Sequence, residues 1–265
     1  MVAVAILADV IAPHAYDAAD LRSRLLPPSP SHPFGTDELG RCVLSRIIYG
    51  ARISFLLGSV IVASSMVVGV AMGIVAGYAG GAVDSVLMRL IDVLLSFPGI
   101  LLALAIVAAL GPGLGSAATA VAVVSIPPFA RLSRARALSI RREEYVQAAR
   151  AVGAGAVRIM WKHVLPNAIT PVLIQASLEV PRAIIFIATL SFLGIGAQPP
   201  TPEWGAMLSA AKNYLRVAPR LTIFTGSALF LTALAFNAVG DGLRDACDPQ
   251  SYRRLRLSPR PRSRR

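Results

Sequence analysis

The chain has 265 residues, 55% of them hydrophobic and only 15% charged, with a formal net charge of +12. Soluble domains run to about 45–50% apolar and about 25% charged, and here residues 53–83, 93–130, 183–202 and 221–240 carry no charge at all. A soluble enzyme is excluded, and the basic excess reads as membrane topology rather than nucleic-acid binding.

Residues 1–12 are apolar apart from Asp9, but at about 1.5 Å per residue they are too short to cross a core of about 30 Å. With no basic start they are not a signal peptide; they read as the outer end of a partial, truncated first transmembrane helix. Residues 13–52 form an extracytoplasmic segment, in which Leu26-Pro27-Pro28-Ser29-Pro30 favours extended chain. The membrane core, 53–240, has spans predicted at about 53–78, 88–110, 114–130, 167–193 and 221–240. The uncharged run from Val93 to Ala130 divides at Gly111-Pro112-Gly113. Pro181 is expected to kink the fourth span.

Lysine and arginine set the orientation. The loop 131–166 and the tail 241–265 hold eight each, against five in 13–52 and three in 194–220. The positive-inside rule therefore places that loop and the C-terminus in the cytoplasm. The arginine- and proline-rich tail from Ser251 reads as disordered and held near anionic lipid. Cys42 and Cys247 then fall on opposite sides and should not pair.

Chemistry is sparse. No phosphate-binding loop is present, and His14, His32 and His163 are too far apart in sequence for metal-ligand spacing. Ser191 and Ser209 lack a His–acid pair. No catalytic, cofactor or metal site is expected, so the chain reads as non-enzymatic.

Three features stand out. Gly69, Gly73, Gly77 and Gly81 recur every four residues, a small-residue ridge suited to close helix packing, within the chain or between subunits. Glu179 and Arg182, three apart in a span, either line a translocation path or neutralise one another. The polar segment 143–167 is helical by propensity on both sides of Gly153. Glu143 and Glu144 open its first turn, Ala148 and Ala149 give it a small face, and Pro166 starts the next helix. It reads as a docking element for a cytoplasmic partner, or as an amphipathic segment on the membrane surface.

That segment resembles the EAA loop of ABC importer permeases, with Gln147, Ala148, Ala149, Gly153, His163, Leu165 and Pro166 at the motif positions. Gly35–Arg41, Ser45–Ser54, Leu190–Gly194 with Gln198-Pro199-Pro200, and Phe236-Asn237 with Gly240–Asp245 and Asp248-Pro249 are similar to peptide-importer permeases of the dipeptide and oligopeptide C-subunit type. Gln147 replaces the motif's glutamate, with Glu143 or Glu144 available instead. His163 stands at its isoleucine, Cys42 where the family usually has aspartate, and Ile187 where an acid is frequent. The resemblance implies an all-α polytopic bundle of the type I ABC importer permease kind, in the inner membrane. It implies a second homologous permease, two ATPase subunits that carry ATP and Mg, and an extracytoplasmic substrate-binding protein as partners. The segment Glu143, Glu144, Tyr145, Gln147, Ala148, Ala149, Gly153, His163, Leu165 and Pro166 would be the coupling helix seated on an ATPase. The competing class is a self-sufficient secondary transporter or channel, but no internal repeat of hydropathy supports it. A membrane scaffold docked through 143–163 is the third reading.

Overall fold

The computed structural model describes residues 2–247, and the tail calls on 248–265 fall outside that range. Among the described residues there are α-helices, short 3₁₀ and π turns, and an isolated antiparallel bridge between Thr36 and Cys42. Helices α1 (Val2–Ile6) and α2 (Ala8–Ile11) lie on the start of α3 (Val43–Ala79). The Arg52 guanidinium donates to the carbonyls of Ala5 (2.8 Å) and Ile6 (3.0 Å) and pairs with Asp9 at 2.9 Å.

Helix α3 begins ten residues before the span predicted from charge. Arg46 and Arg52 hid its first turns, yet both are satisfied locally. Arg46 donates to the Tyr16 and Pro200 carbonyls at 3.1 and 3.3 Å and lies 3.5 Å from Asp37. At about 1.5 Å per residue the 37 residues of α3 span about 55 Å.

The predicted span 88–110 is not one helix. Helix α4 (Gly81–Ser96) and α5 (Gly99–Leu110) meet at 95°. Pro98 has no amide proton and pushes Phe97 into an extended conformation (φ −100°, ψ 141°), which ends α4. The turn at Gly111-Pro112-Gly113 forms as expected, and the Gly113 amide donates to the Ile195 carbonyl at 3.0 Å.

Helix α6 (Leu114–Val124) leads almost directly into α7 (Ile126–Ile140), whose first turn holds Pro127 and Pro128. The first ten residues of the predicted loop 131–166 therefore belong to a helix. Next come α8 (Glu144–Ala151), α9 (Ala156–Ile159), a π turn (Met160–Val164) and α10 (Leu165–Phe192), which continues through Pro171 and Pro181. Helix α11 (Trp204–Ala211) is short, and α12 (Arg220–Cys247) closes the described chain. Residues 43–79, 114–140, 156–192 and 220–240 are each long and apolar enough to cross a membrane, and the bent pair α4–α5 is either a fifth, broken span or a re-entrant loop.

The core lies where α3 crosses α7 and α10, around Ile61, Val70, Phe129, Ile187 and Leu190. The glycine ridge sits in that crossing. A Cβ on Gly69 would come 2.7 Å from Phe129 Cβ, one on Gly77 would come 2.6 Å from the Arg134 carbonyl, and one on Gly73 would overlap the Ala130 carbonyl. The ridge is an intrachain contact that lets two backbones meet. Gly81 is not part of it: α3 ends at Ala79, Gly80 turns with φ 70°, and nothing faces Gly81. Exposed Leu56, Val60 and Val67 on α3 and Phe230, Leu231 and Leu234 on α12 give the bundle an apolar outer flank suited to lipid.

At the N-terminal pole of α3 the segment 13–42 packs over the loops after α10 and α11. Asp37 accepts from Arg41 at 2.7 Å, and the Arg220 guanidinium donates to the Leu26 carbonyl at 3.0 Å. The buried Trp204 indole donates to the Ile47 carbonyl at 3.1 Å.

Candidate functional site: the loop between α7 and α10

The loop lies at the C-terminal pole of α3 and is anchored there by two arginines. Arg141, just after α7, donates to the last carbonyls of α3, Gly77 (3.2 Å) and Tyr78 (3.1 Å). Such cations satisfy the orphan acceptors of a helix end and suit its dipole. Arg150 on α8 donates to the Tyr78 hydroxyl at 3.2 Å and lies 4.8 Å from the ring centroid.

Helix α8 forms where acids meet its positive end. Glu143 is its extended N-cap and Glu144 opens its first turn. Val146 is fully buried, and Ala149 and Ala154 pack against the main core. The helix closes with a Schellman pair: the Ala154 amide donates to the Ala149 carbonyl at 3.0 Å and the Gly153 amide to the Arg150 carbonyl at 2.9 Å. This motif needs a left-handed residue at its turn, and Gly153 supplies it at φ 87°.

The π turn has a cause in the next residues. Pro166 cannot donate to a carbonyl four residues back and its ring crowds that position. The chain widens instead, with the Leu165 amide donating to Met160 five residues earlier. The Asn167 side chain donates to the His163 carbonyl at 2.6 Å.

Among the residues predicted for docking, Glu143, Glu144, Tyr145, Gln147, Ala148 and Gly153 are exposed, and the His163 ring lies 5.9 Å from that of Tyr145. Ala149 is turned inward, and Leu165 and Pro166 shape the junction with α10 rather than the α8 surface. Gln147 donates to the Arg141 carbonyl at 2.8 Å, a bond that a glutamate could not make. Two exposed apolar residues of the loop were not among those predicted, Val152 (85% exposed) and Val157, whereas exposed Trp161 lines an apolar groove with Val67, Val70 and Ile74 of α3. The loop thus has a buried underside and presents exposed apolar and acidic residues outward.

Glu179 and Arg182 form the ion pair expected from their spacing, at 3.1 Å, with Gln175 donating to the same carboxylate oxygen at 2.8 Å. Glu179 is buried while the Arg182 side chain is 75% exposed. Both line a mostly apolar groove with Ile100, Val121 and Phe186, between α5, α6 and α10. Self-neutralisation and groove lining therefore coexist.

The reading of the histidines needs correction. His14 and His32, eighteen positions apart, stack with ring centroids 4.6 Å apart, and Cys42 joins them within ligand distance, while His163 sits in the α7–α10 loop. Sequence spacing could not reveal a cluster made by tertiary folding.

An all-α bundle of broken and continuous apolar spans, with a structured loop fixed to one end of its central helix, defines a polytopic membrane protein. The chain belongs to the family described as binding-protein-dependent transport system inner membrane component, whose model matches residues 69–251. It is 44% identical over 247 residues, 93% of this chain and 81% of the relative, to the dipeptide transport system permease protein DppC of Alkalihalophilus pseudofirmus. It is 48% identical to the glutathione transport system permease protein GsiD of Pectobacterium atrosepticum, covering 84% of this chain and 74% of the relative. In fold it is similar to a chain of the MetNI methionine ABC transporter in an inward-facing conformation, with a TM-score of 0.63 at 18% identity, covering 77% of this chain and 98% of that one.

Proposed function

We propose that the chain is one permease subunit of an importer for di- or oligopeptides, contributing half of the translocation pathway and carrying no catalytic or cofactor site of its own. The peptide class is supported by the relatives named for dipeptides and glutathione. A second homologous permease completes the pathway, two cytoplasmic ATPases bind ATP and Mg, and an extracytoplasmic binding protein delivers the substrate. The α7–α10 loop and the C-terminus face the cytoplasm, in keeping with their basic charge. The observation that carries the reading is the α8–α9 surface, braced on α3 by Arg141 and Arg150 and apolar at Val152 and Val157. Seated in a groove of an ATPase, it converts nucleotide-driven closure into movement of the spans, and Glu179 and Arg182 lie on the path that opens.

The test is purification of the chain from its native membrane in mild detergent, with ATPase activity measured on the eluate. Recovery of two ATPase subunits, a second permease and substrate-stimulated hydrolysis is expected. A chain that emerges alone, under conditions that hold a control importer together, overturns the reading.

A further inference from the structure

We infer that His14, His32 and Cys42 form a binding site for a single transition-metal ion of borderline softness, with Zn²⁺ the fitting class. One ligand atom from each residue lies within 4.8 Å of the other two. The three come from separate stretches that backbone bonds already hold in place. The His14 amide donates to the Ser45 hydroxyl at 3.1 Å, in the first turn of α3. His32 sits in a turn closed by the Ser29 amide (2.9 Å) and the Gly35 amide (2.8 Å), both donating to its carbonyl. Cys42 is bridged to Thr36, and the Val43 amide donates to the Gly35 carbonyl at 3.1 Å.

Two features point to a ligand rather than to packing. Nδ1 of His32 is buried without a hydrogen-bond partner, a cost that a metal bond would remove. Cys42 is a free thiol, only 2% exposed, in direct reach of two imidazoles. Two imidazole nitrogens and a thiolate suit Zn²⁺ and exclude Mg²⁺ and Ca²⁺, which demand oxygen. With Zn–N near 2.0–2.1 Å and Zn–S near 2.3 Å, tetrahedral ligands stand roughly 3.3–3.7 Å apart. The three atoms need to close by up to about 1.5 Å, and the stacked imidazoles must swing so that their ring nitrogens aim at one point, movements that side-chain rotation supplies. Asp37 is not the fourth ligand, because Arg41, Arg46 and two backbone amides already engage it. The fourth position is left to water. The ion would clip the 13–42 segment to the start of α3, and because it binds the folded state it would raise thermal stability.

The full chain, purified in detergent and stripped with chelator, is titrated with Co²⁺ and then Zn²⁺. The expected result is one equivalent of Co²⁺ with a thiolate-to-metal charge-transfer band, bleached by Zn²⁺, and a melting midpoint that rises with Zn²⁺. Cys42→Ser removes the band, His14→Gln and His32→Gln each weaken binding by about tenfold or more, and Cys247→Ser keeps both band and affinity. Each variant is compared only where it elutes as a single species like the parent, and any one of the histidine variants suffices if Cys42→Ser does not. No saturable band in the parent chain, or a band that survives Cys42→Ser or both histidine substitutions, overturns the site. Neither result bears on transport, so the proposed function stands or falls separately.

Discussion

Gly153 occupies a backbone region that costs an L side chain roughly 1–2 kcal/mol, although open space surrounds it. Gly153→Asp is therefore expected to leave the protein inserted at near-normal levels, while the Schellman closure loosens and a charge enters the docking face. Uptake should fall at least about tenfold with basal ATPase retained; normal substrate-stimulated hydrolysis would count against docking there. Glu203 gives a second test. It is the N-cap of α11, accepting from the Ala206 amide at 2.9 Å. Burial pushes its carboxyl above the usual range, against the opposing pull of the Gly205 and Ala206 amides. The folded state thus holds this proton more tightly than the unfolded chain. Its contribution is intact below the ordinary glutamate value of about 4.3 and is lost as pH rises toward the elevated folded value. Glu203→Gln keeps the cap acceptor and should flatten that loss, giving a melting midpoint at neutral pH equal to or above the parent's. A steeper decline with pH in the variant would refute the assignment.

A closely packed face of α3 was legible in the sequence, because glycines four apart mark one helix face whatever surrounds them, but its partner α7 was not. Gly73→Val should destabilise the folded protein by several kcal/mol, since Ala130 and Ser133 of α7 leave no room for a side chain. Gly115→Ala, on α6 with open space around it, should be neutral or stabilise by about 0.4–1 kcal/mol. Thermal melts of the two variants in detergent separate a packed ridge from mere glycine content. Other elements were hidden for identifiable reasons. Charge arithmetic stopped at Arg52 because it could not foresee Asp9 and the α1 carbonyls waiting for it. The same arithmetic ran straight through Pro98, since an uncharged stretch looks continuous even where the chain turns by 95°. The structured loop between α7 and α10 was legible from its polarity, acids and Gly153, but the outward exposure of Val152 was not. The cluster of His14, His32 and Cys42 depends on the fold of an irregular segment, where no periodicity exists to be read.

At the scale of the whole molecule, α3 joins the two poles as one uninterrupted helix. At one end Arg46 and the Trp204 indole tie it to the outer loops; at the other Arg141 and Arg150 tie the docking loop to its last turn. Under the proposed function the helix would act as a lever: pivoting about one end by about 10°, a rod of about 55 Å sweeps its far end through roughly 10 Å. Motion imposed on the docking loop need not be relayed through a chain of side-chain rearrangements. Softening the middle should break this transmission without touching either grip. Val67→Gly with Val68→Gly, both lipid-side exposed positions, costs about 0.5–1 kcal/mol each in helix stability. The expected outcome is nucleotide hydrolysis that continues while vesicle uptake collapses; uptake that keeps pace with hydrolysis would mean the stroke travels by another helix. For any given pivot angle a stiff rod's end displacement is set by its length alone, so removing one turn of about 5.4 Å from α3 would shorten that displacement by about a tenth.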